Sequence, residues 1–378
     1  MNFPFAAERA LFPILANKVQ LSSCSQSALS EPVIDAIAQY MASWRELGMN
    51  WGGWQVVLDQ AKAEFARLVG ADASDIAVMS CVSDLASSFG NCLAFAPGKD
   101  GIVLGEIDFP SLGHVWLAQR SRGARVSFVA GTDGSQDIEL QAYERAIDAS
   151  TRLVSVSHVS YSNGYRQDIA AIAALAHAQG ALVFVDAYQS VGVMPIDVVR
   201  DEIDVLVCGA QKFLLGCPGI AFMYLRRELA RTLEPANTGW FGRVDPFAFD
   251  IHRLDYADGA RRFDTGTPPY INAAAARAGM ALLNRLDMAQ VQAHIEYLSA
   301  TAIEVAQAHG LALASPLDPK CKGSNTAIRV KDAGAVEQKM AADGFIVAAR
   351  GPVVRIAPHF YNTAEEVAAA VRALAKYA

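Results

Sequence analysis

Short apolar runs alternate with amphipathic stretches between about residue 75 and residue 225. The short runs, bounded by glycine or polar residues, predict buried strands, and the stretches with apolar residues at helical spacing predict helices. The predicted strands are 76–79, 101–104, 124–129, 152–158, 181–186 and 205–212, and the predicted helices run from 83, over 112–122 and over 168–179. This alternation predicts an α/β fold with a mostly parallel sheet flanked by helices on both faces.

The pattern changes after about residue 265, where alanine-rich helical stretches follow. Helices are predicted over 273–286, 289–308 and 363–375, and strands over 327–330 and 353–357. We therefore expect a large α/β domain over residues 17–264 and a smaller α+β domain over residues 265–378 together with residues 1–16. Residues 44–54, rich in tryptophan and glycine, predict an irregular segment, either a surface loop packed on the core or a substrate gate.

Composition narrows the class of protein. The 378 residues are 52% hydrophobic and carry a formal charge of −7, and no run of lysine or arginine forms a stripe for nucleic acid. No apolar stretch approaches the roughly 20 residues that span a bilayer. The six cysteines form no CxxC pair, so we expect neither a metal site nor a disulfide framework. These features favour a cytoplasmic protein that binds neither nucleic acid nor membranes.

Two predicted strands end on residues of opposite charge. Asp186 ends one apolar run and Lys212 ends the next. Ligands of such folds gather at the carboxyl ends of the strands. A lysine there can form an imine with pyridoxal phosphate, while a neighbouring acid keeps the pyridine nitrogen protonated. The pair therefore predicts a pyridoxal-phosphate enzyme that acts on an amino acid.

Other predicted strand ends carry candidates for the same site. Gln189 can donate to the phenolate oxygen of the cofactor, and Phe109 can lie flat on its ring. The amides at the helix start near Ser83, with the serine hydroxyl, can hold its phosphate. Taken singly, each has an ordinary alternative: a surface glutamine, a core phenylalanine and a plain helix cap.

Eight motifs carry a resemblance to a known family. They lie at residues 78–83, 108–111, 158–161, 186–189, 211–212, 238–242, 262–269 and 355–363. In order and spacing they resemble the class V aminotransferase group of fold type I pyridoxal-phosphate enzymes, in the branch that holds kynureninases, selenocysteine lyases and cysteine desulfurases. The 26 residues from Asp186 to Lys212 are also the separation found in cysteine desulfurases. The resemblance covers nearly the whole chain and implies the fold type I transferase fold.

The resemblance also implies roles for the site residues. Lys212 is the implied catalytic residue, which carries the imine. The implied cofactor-binding residues, besides Lys212, are Val82, Ser83, Phe109, Asp186, Gln189 and Thr267, and we add Gln211 and Trp240 as candidates for the same role. The resemblance implies that Arg355 grips the α-carboxylate of the substrate, and Tyr161 and Arg350 are further candidates for substrate binding. Because the counterpart of Thr267 reaches the phosphate of the opposite subunit in this family, a homodimer with shared active sites is implied.

The reaction stays open between two classes. Resemblance to kynureninases and selenocysteine lyases favours cleavage of a bond at the β-carbon of a small α-amino acid. Kynurenine itself is disfavoured, since Gln211 and Gln189 stand where kynureninases have tyrosine and histidine. Residues 345–352 lack the nucleophilic cysteine of desulfurases. The pair Gln211–Lys212 is similar to glyoxylate aminotransferases, so transfer of an amino group to an oxo acid is the alternative. A non-catalytic cofactor-binding protein or a hydrolase is disfavoured, because no hydrolase motif is present.

Overall fold

The computed structural model describes residues 3–131 and 137–378. Its strands are β1 (Val19–Gln20), β2 (Ile76–Met79), β3 (Gly101–Gly105), β4 (Arg125–Val129), β5 (Thr151–Ser157), β6 (Leu182–Asp186), β7 (Val205–Gly209), β8 (Ala221–Leu225), β9 (Thr326–Arg329), β10 (Phe345–Ile346), β11 (Ala348–Arg350) and β12 (Val353–Ile356). Its helices are α1 (Ala6–Arg9), α2 (Glu31–Leu47), α3 (Trp51–Val69), α4 (Val82–Cys92), α5 (Pro110–Ala118), α6 (Leu140–Ala146), α7 (Ile169–Ala178), α8 (Arg227–Ala230), α9 (Tyr270–Leu283), α10 (Met288–Ala308), α11 (Ala333–Ala342) and α12 (Ala364–Ala375). Among these helices, none combines the length and apolar character needed to cross a bilayer.

Seven of the described strands form the main sheet, in the order β2–β8–β7–β6–β5–β3–β4. Neighbours from β7 to β4 run parallel, whereas β8 is antiparallel to both β7 and β2. Successive side chains of a strand point to opposite faces, and both faces are covered here. On β3, Ile102 and Leu104 pack into one buried cluster while Val103 packs into the other. The predicted α/β fold with a mostly parallel sheet is confirmed.

The parallel strands bring their carboxyl ends to one edge of the sheet. Asp186 is the last residue of β6 and pairs in register with Ser157, the last residue of β5. Lys212 follows the end of β7, and Phe109 follows the end of β3, at the N-cap of α5. The chain direction alone therefore collects residues from the ends of four strands, β3, β5, β6 and β7, at this edge.

The N-terminal residues of the chain contact its C-terminal part, which contains a second, smaller sheet. The strands β11, β12 and β9 form an antiparallel sheet, and β1 pairs in parallel with β10. Arg9 of α1 forms a 2.6 Å ion pair with Glu366 of α12. These contacts join the first residues of the chain to its last third. The domain bounds given above stay a prediction.

The expectation of an irregular segment at residues 44–54 is wrong. Trp44 lies within α2, which ends at Leu47 and is followed by Gly48, where φ is +68°. Asn50 then caps α3, because its Oδ1 accepts a 3.3 Å hydrogen bond from the Gly53 amide. Two glycines weaken a helix interior, but here they occupy the first turn, where the cap compensates. Trp51 therefore begins a helix of 19 residues.

Candidate active site

A cavity of about 290 Å³ opens at the carboxyl edge of the main sheet. It brings together eight of the predicted site residues, Phe109, Tyr161, Asp186, Gln189, Gln211, Lys212, Arg350 and Arg355. The lining also contains residues that the sequence did not single out as site residues, Cys24, Ser25, Ser157, Val159 and Tyr188. Side chains from both sheets and from the N-terminal segment thus meet around one space.

Lys212 projects its amine between aromatic rings. Its Nζ lies 4.1 Å from the ring centre of Tyr188 and 5.6 Å from that of Phe109. Burial lowers the pKa of the Lys212 amine, and the nearby Asp186 carboxylate opposes that shift. The lowered pKa increases the share of neutral amine, which is the nucleophilic form.

The backbone around Lys212 is fixed from two directions. From the N-terminal segment, the Ser27 hydroxyl donates to the Lys212 carbonyl at 2.5 Å and the Ser27 amide donates to the Gln211 carbonyl at 3.2 Å. From the segment after β12, His359 Nε2 donates to the Phe213 carbonyl at 3.1 Å. These hydrogen bonds hold the main chain around Lys212, so its side chain is the part that can move.

Asp186 presents a buried carboxyl group on the same cavity. Its Oδ1 accepts a 2.9 Å hydrogen bond from the Tyr188 amide. Burial raises the pKa of the Asp186 carboxyl, while the Tyr188 amide and the Lys212 charge both act to lower it. A cationic ring N–H placed against this carboxyl would favour the carboxylate form.

Tyr188 lies beneath Lys212 because the neighbouring strand leaves room for it. Its hydroxyl donates to Gln211 Oε1 at 2.6 Å. A Cβ atom at Gly209, the last residue of β7, would overlap the Tyr188 hydroxyl and ring. Only glycine at that position lets the tyrosine ring pack against the strand end, so Gly209 and Tyr188 together support the lysine.

Arg355 on β12 points into the cavity with its guanidinium held by protein acceptors. The residue is 1% exposed. Its Nη1 donates to the Tyr161 carbonyl at 2.8 Å, and its Nη2 donates to the Ser25 hydroxyl at 3.0 Å. A guanidinium has five N–H donors, so these bonds orient the group while leaving donors for an anionic ligand.

The hydrogen bonds of Gln189 show whether the cavity suits a ligand ring that carries a phenol oxygen. Its Nε2 donates to the Cys24 carbonyl at 3.1 Å, and its Oε1 is buried without a hydrogen-bond partner in the described residues. An unpaired buried polar atom costs about 1–3 kcal/mol. The second hydrogen of Nε2 can donate to the phenol oxygen of such a ring, whereas Oε1 would need a hydrogen-bond donor on the ligand. The carboxyl, amine and aromatic groups beside Gln189 match the remaining needs of pyridoxal phosphate.

A family model for the class-V aminotransferases matches residues 19–370. The chain belongs to the class-V aminotransferase family. Membership confirms the resemblance seen in the motifs, and with it an enzyme that uses pyridoxal phosphate, of lyase or aminotransferase type.

Several curated class-V relatives are similar over most of the chain. "Uncharacterized aminotransferase YcbU" of Bacillus subtilis is 41% identical over 367 residues, covering 97% of this chain and 96% of that one. "Probable cysteine desulfurase" of Methanothermobacter thermautotrophicus is 29% identical over 75% of this chain and 70% of its own length. "Kynureninase" of Pseudomonas fluorescens is 27% identical over 86% of this chain and 80% of its own length.

Solved structures confirm the fold type I architecture of this class-V chain. The apo cysteine desulfurase of Thermococcus onnurineus superposes with a TM-score of 0.88 at 21% identity, covering 100% of this chain and 98% of that one. The cystine C–S lyase C-DES, in complex with cysteine persulfide, superposes with a TM-score of 0.88 at 21% identity, covering 97% and 99%. At these identities the likeness concerns the fold.

Four predicted residues of the class-V site lie outside the cavity lining. Val82 and Ser83 begin α4, whose N-cap residue provides no side-chain cap. Thr267 is exposed on a neighbouring cavity of about 90 Å³. Trp240 begins a short 3₁₀ helix and packs edge-to-face on Trp51, with ring centres 5.9 Å apart. The roles given to these four residues stay predictions.

The cavity residues that were not predicted have at most a weak signal in the sequence. Tyr188 and Ser157 lie beside predicted site residues, and the alternation of side chains along a strand end could have marked them. Cys24 and Ser25 show no such signal, because they reach the cavity through the pairing of the N-terminal segment with β10 and with Ala357, which follows β12. That pairing joins residues more than 300 positions apart, as in the bridge from Ser22 to Ala357.

A second buried acid, Asp108, contacts the cavity-lining residue Ser157 and was not among the predicted site residues. Its Oδ1 accepts a 2.8 Å hydrogen bond from the Ser157 amide, while its Oδ2 has no partner in the described residues. Burial raises the pKa of the Asp108 carboxyl to about 8, and the nearby Asp186 adds to the shift. Asp108 is therefore mostly protonated at neutral pH.

Replacing Asp108 with asparagine should stabilise the protein increasingly as the pH rises. Between the ordinary pKa of 3.8 and about 8, the unfolded chain has released the Asp108 proton while the folded chain retains it. Wild-type stability therefore falls with rising pH in that window, by at most about 1.4 kcal/mol per pH unit, whereas Asp108→Asn avoids this loss and keeps an acceptor for Ser157. Denaturation midpoints of both proteins at pH 5 and pH 8 measure the effect. An equal difference at both pH values would contradict the assignment.

Proposed function

We propose that this chain cleaves a bond at the β-carbon of a small α-amino acid, with pyridoxal phosphate held covalently by Lys212. One observation carries the proposal: a single cavity contains the Lys212 amine, the Asp186 carboxyl and the Arg355 guanidinium. These are an attachment point for the cofactor, a partner for its ring nitrogen and a clamp for a substrate carboxylate. When bound, the cofactor supplies an acceptor for the electrons of a bond broken at the substrate's α-carbon.

The proposed cofactor contacts divide between ring and phosphate. Asp186 would accept the hydrogen bond of the ring N–H, Phe109 would cover one ring face, and Gln189 would bond the phenol oxygen. Val82 and Ser83 would hold the phosphate, because the uncapped N-terminus of α4 offers free amides and the positive end of a helix dipole.

The substrate is proposed to bind on the side of the cavity where Arg355 lies. Arg355 would bind the α-carboxylate with the donors that Tyr161 and Ser25 leave free. That contact would place the α-hydrogen near Lys212, whose amine burial keeps partly neutral and able to accept the proton. Tyr161 and Phe109, in edge-to-face contact with ring centres 5.0 Å apart, would close the wall against water.

The named relatives support cleavage at the β-carbon. The archaeal relative is named a probable cysteine desulfurase and the Pseudomonas relative a kynureninase, and both names describe reactions that break a bond at the β-carbon. Each covers at least three quarters of this chain. Neither reaction is assigned to this chain directly. Gln189 and Gln211 depart from kynureninases, and residues 345–352 lack the nucleophilic cysteine of desulfurases.

Amino-group transfer is the second candidate. The Bacillus relative, named an uncharacterized aminotransferase, covers 97% of this chain at 41% identity. The pair Gln211–Lys212 also resembles glyoxylate aminotransferases. Both candidates use the same lysine, carboxyl and arginine, so the chemistry of the products separates them.

Incubation with β-substituted amino acids should release pyruvate or alanine continuously. Lys212 would return after each cycle to the form that binds the next substrate, so product should exceed the enzyme concentration many times. Coupled assay of pyruvate and chromatographic assay of alanine provide the measurement, with Lys212→Ala as the inactive control. A single stoichiometric conversion to pyridoxamine phosphate, reversed by an oxo acid and without β-cleavage, would instead establish the aminotransferase.

We also propose that the enzyme is a cytoplasmic homodimer in which Thr267 contributes to the partner's site and Trp240 to cofactor binding. Phe247, Phe249 and Ile251, which follow Trp240, are 56%, 71% and 91% exposed. Clustered exposed apolar side chains mark interaction surfaces. A monomeric mass for the active enzyme in solution would contradict this assembly.

A further inference from the structure

Two arginines point toward the cavity from neighbouring strands. Arg355 of β12 lies opposite Ala348 in the antiparallel pair β11–β12, and Arg350 lies two residues further along β11. Residues opposite each other share a face of the sheet, and so do residues two apart on one strand. The two arginines are therefore diagonal neighbours on one face, with backbone positions on the order of 7–8 Å apart. Both line the cavity.

The two guanidinium groups differ in burial and in partners. Arg355 is buried and held by Tyr161 and Ser25. Arg350 is exposed at the cavity's outer edge, and across the described ranges its side chain forms neither an ion pair nor a hydrogen bond. Arginines elsewhere on the surface do pair with acids, as Arg125 does with Asp100 at 3.0 Å. Arg350 therefore contributes an uncompensated charge to the cavity.

The charges of the lining favour an anionic occupant. Among the described residues of the lining, Asp186 is the acid, against Lys212, Arg350 and Arg355. The proposed cofactor would occupy Asp186 with its ring N–H and Lys212 with its covalent attachment. Its phosphate would lie at the start of α4. Neither arginine is then neutralised by the cofactor, so two cationic groups remain for the substrate.

We infer that the substrate is an amino acid with a second acidic group on a short side chain, which Arg350 binds while Arg355 binds the α-carboxylate. The inference rests on the proposed function for the role of Arg355. The diagonal spacing of the two arginines suits two carboxylates on one small molecule. The volume limits its size, because about 290 Å³ has to accommodate the ring of the cofactor as well as the substrate. Arg350 is thus the residue that determines side-chain specificity.

Matched pairs of ligands test this assignment on the holoenzyme. Aspartate and asparagine differ in charge at nearly equal size, as do glutamate and glutamine. Their dissociation constants come from the change of cofactor absorbance during titration. Wild type should bind the acid of a pair at least tenfold more tightly than the amide. Arg350→Gln should lose that preference while binding the amide as before, and Arg350→Lys should retain part of it because the charge remains.

Arg329 offers a matched control. It is an exposed arginine at the end of β9, the strand beside β12, and lies outside the cavity lining. Arg329→Gln should preserve the wild-type preference. Succinate, which has two carboxylates and no amine, serves as a probe that cannot react. It should raise the melting temperature of wild type and of Arg329→Gln but not that of Arg350→Gln.

Each other outcome decides against the assignment. If wild type binds aspartate and asparagine equally, or if Arg350→Gln retains the preference, Arg350 does not select an acidic side chain and the proposed function still stands. If no amino acid changes the cofactor spectrum and succinate has no effect on wild type, both the proposed function and the role of Arg350 are overturned.

Discussion

Replacing Lys212 with alanine should lower kcat at least about 10³-fold. The amine is proposed both to attach the cofactor and to move the α-proton, and proton transfer by a positioned side chain alone contributes about 10²–10⁴-fold. The alanine side chain cannot accept that proton from between the rings of Tyr188 and Phe109. Steady-state kinetics with a β-substituted amino acid measure the loss.

The control for that variant is Lys331→Ala, an exposed lysine outside the cavity. It should retain wild-type kcat. Circular dichroism should show both variants folded, because the contacts that fix the Lys212 backbone, from Ser27 and His359, involve main-chain atoms near position 212 rather than its amine. A folded Lys212→Ala protein with near-normal turnover would eliminate this lysine as the catalytic residue.

The second large effect is expected at Asp186. Asp186→Asn removes the negative charge that would keep the ring nitrogen protonated, while an asparagine can still accept from the Tyr188 amide. Loss of one preorganised electrostatic contact typically costs about 10²–10³ in kcat. We expect a fall in that range with little change of fold. A shift in the absorbance maximum of the bound cofactor should accompany it, because the ring loses its charged partner.

Asp332→Asn is a suitable comparison for Asp186→Asn. Asp332 is exposed and caps α11 by accepting from the Ala335 amide at 2.9 Å, a task asparagine performs equally well. Turnover should be unchanged in that variant. If Asp186→Asn also kept full turnover and an unaltered spectrum, Asp186 would not be the partner of the ring nitrogen.

Much of the fold follows from local pattern. The strand that ends at Asp186 is predicted over 181–186 and observed over Leu182–Asp186, because its apolar run is bounded by glycine and by polar residues. The final helix, predicted over 363–375, begins one residue later, where Thr363 and Glu366 form a capping box. These signals depend on residues a few positions apart.

The misses have a common physical cause. Trp51 to Val69 form a helix despite two glycines in the first turn, because α3 packs along α9 from the far end of the chain. Helical stability from such packing overrides propensity. The residues of segment 44–54 alone therefore predict an irregular structure, because the packing partner α9 is far away in the sequence.

The arrangement of the candidate site could be predicted from the sequence only for residues that lie at the ends of predicted strands. Asp186 and Lys212 meet because parallel strands align their carboxyl ends, a rule that requires no knowledge of loops. The support from Ser25 and Ser27 depends on how the N-terminal segment crosses to the second sheet, and the common face of Arg350 and Arg355 depends on strand register. Neither is encoded by nearby residues.

Reduction of the purified protein by borohydride tests the central claim most directly. The coloured wild-type enzyme should lose its visible absorbance, and mass spectrometry of its peptides should find the reduced cofactor attached to Lys212. Lys331→Ala should label at the same position. A colourless protein, or a label on a different lysine with Lys212 unmodified, would contradict the account.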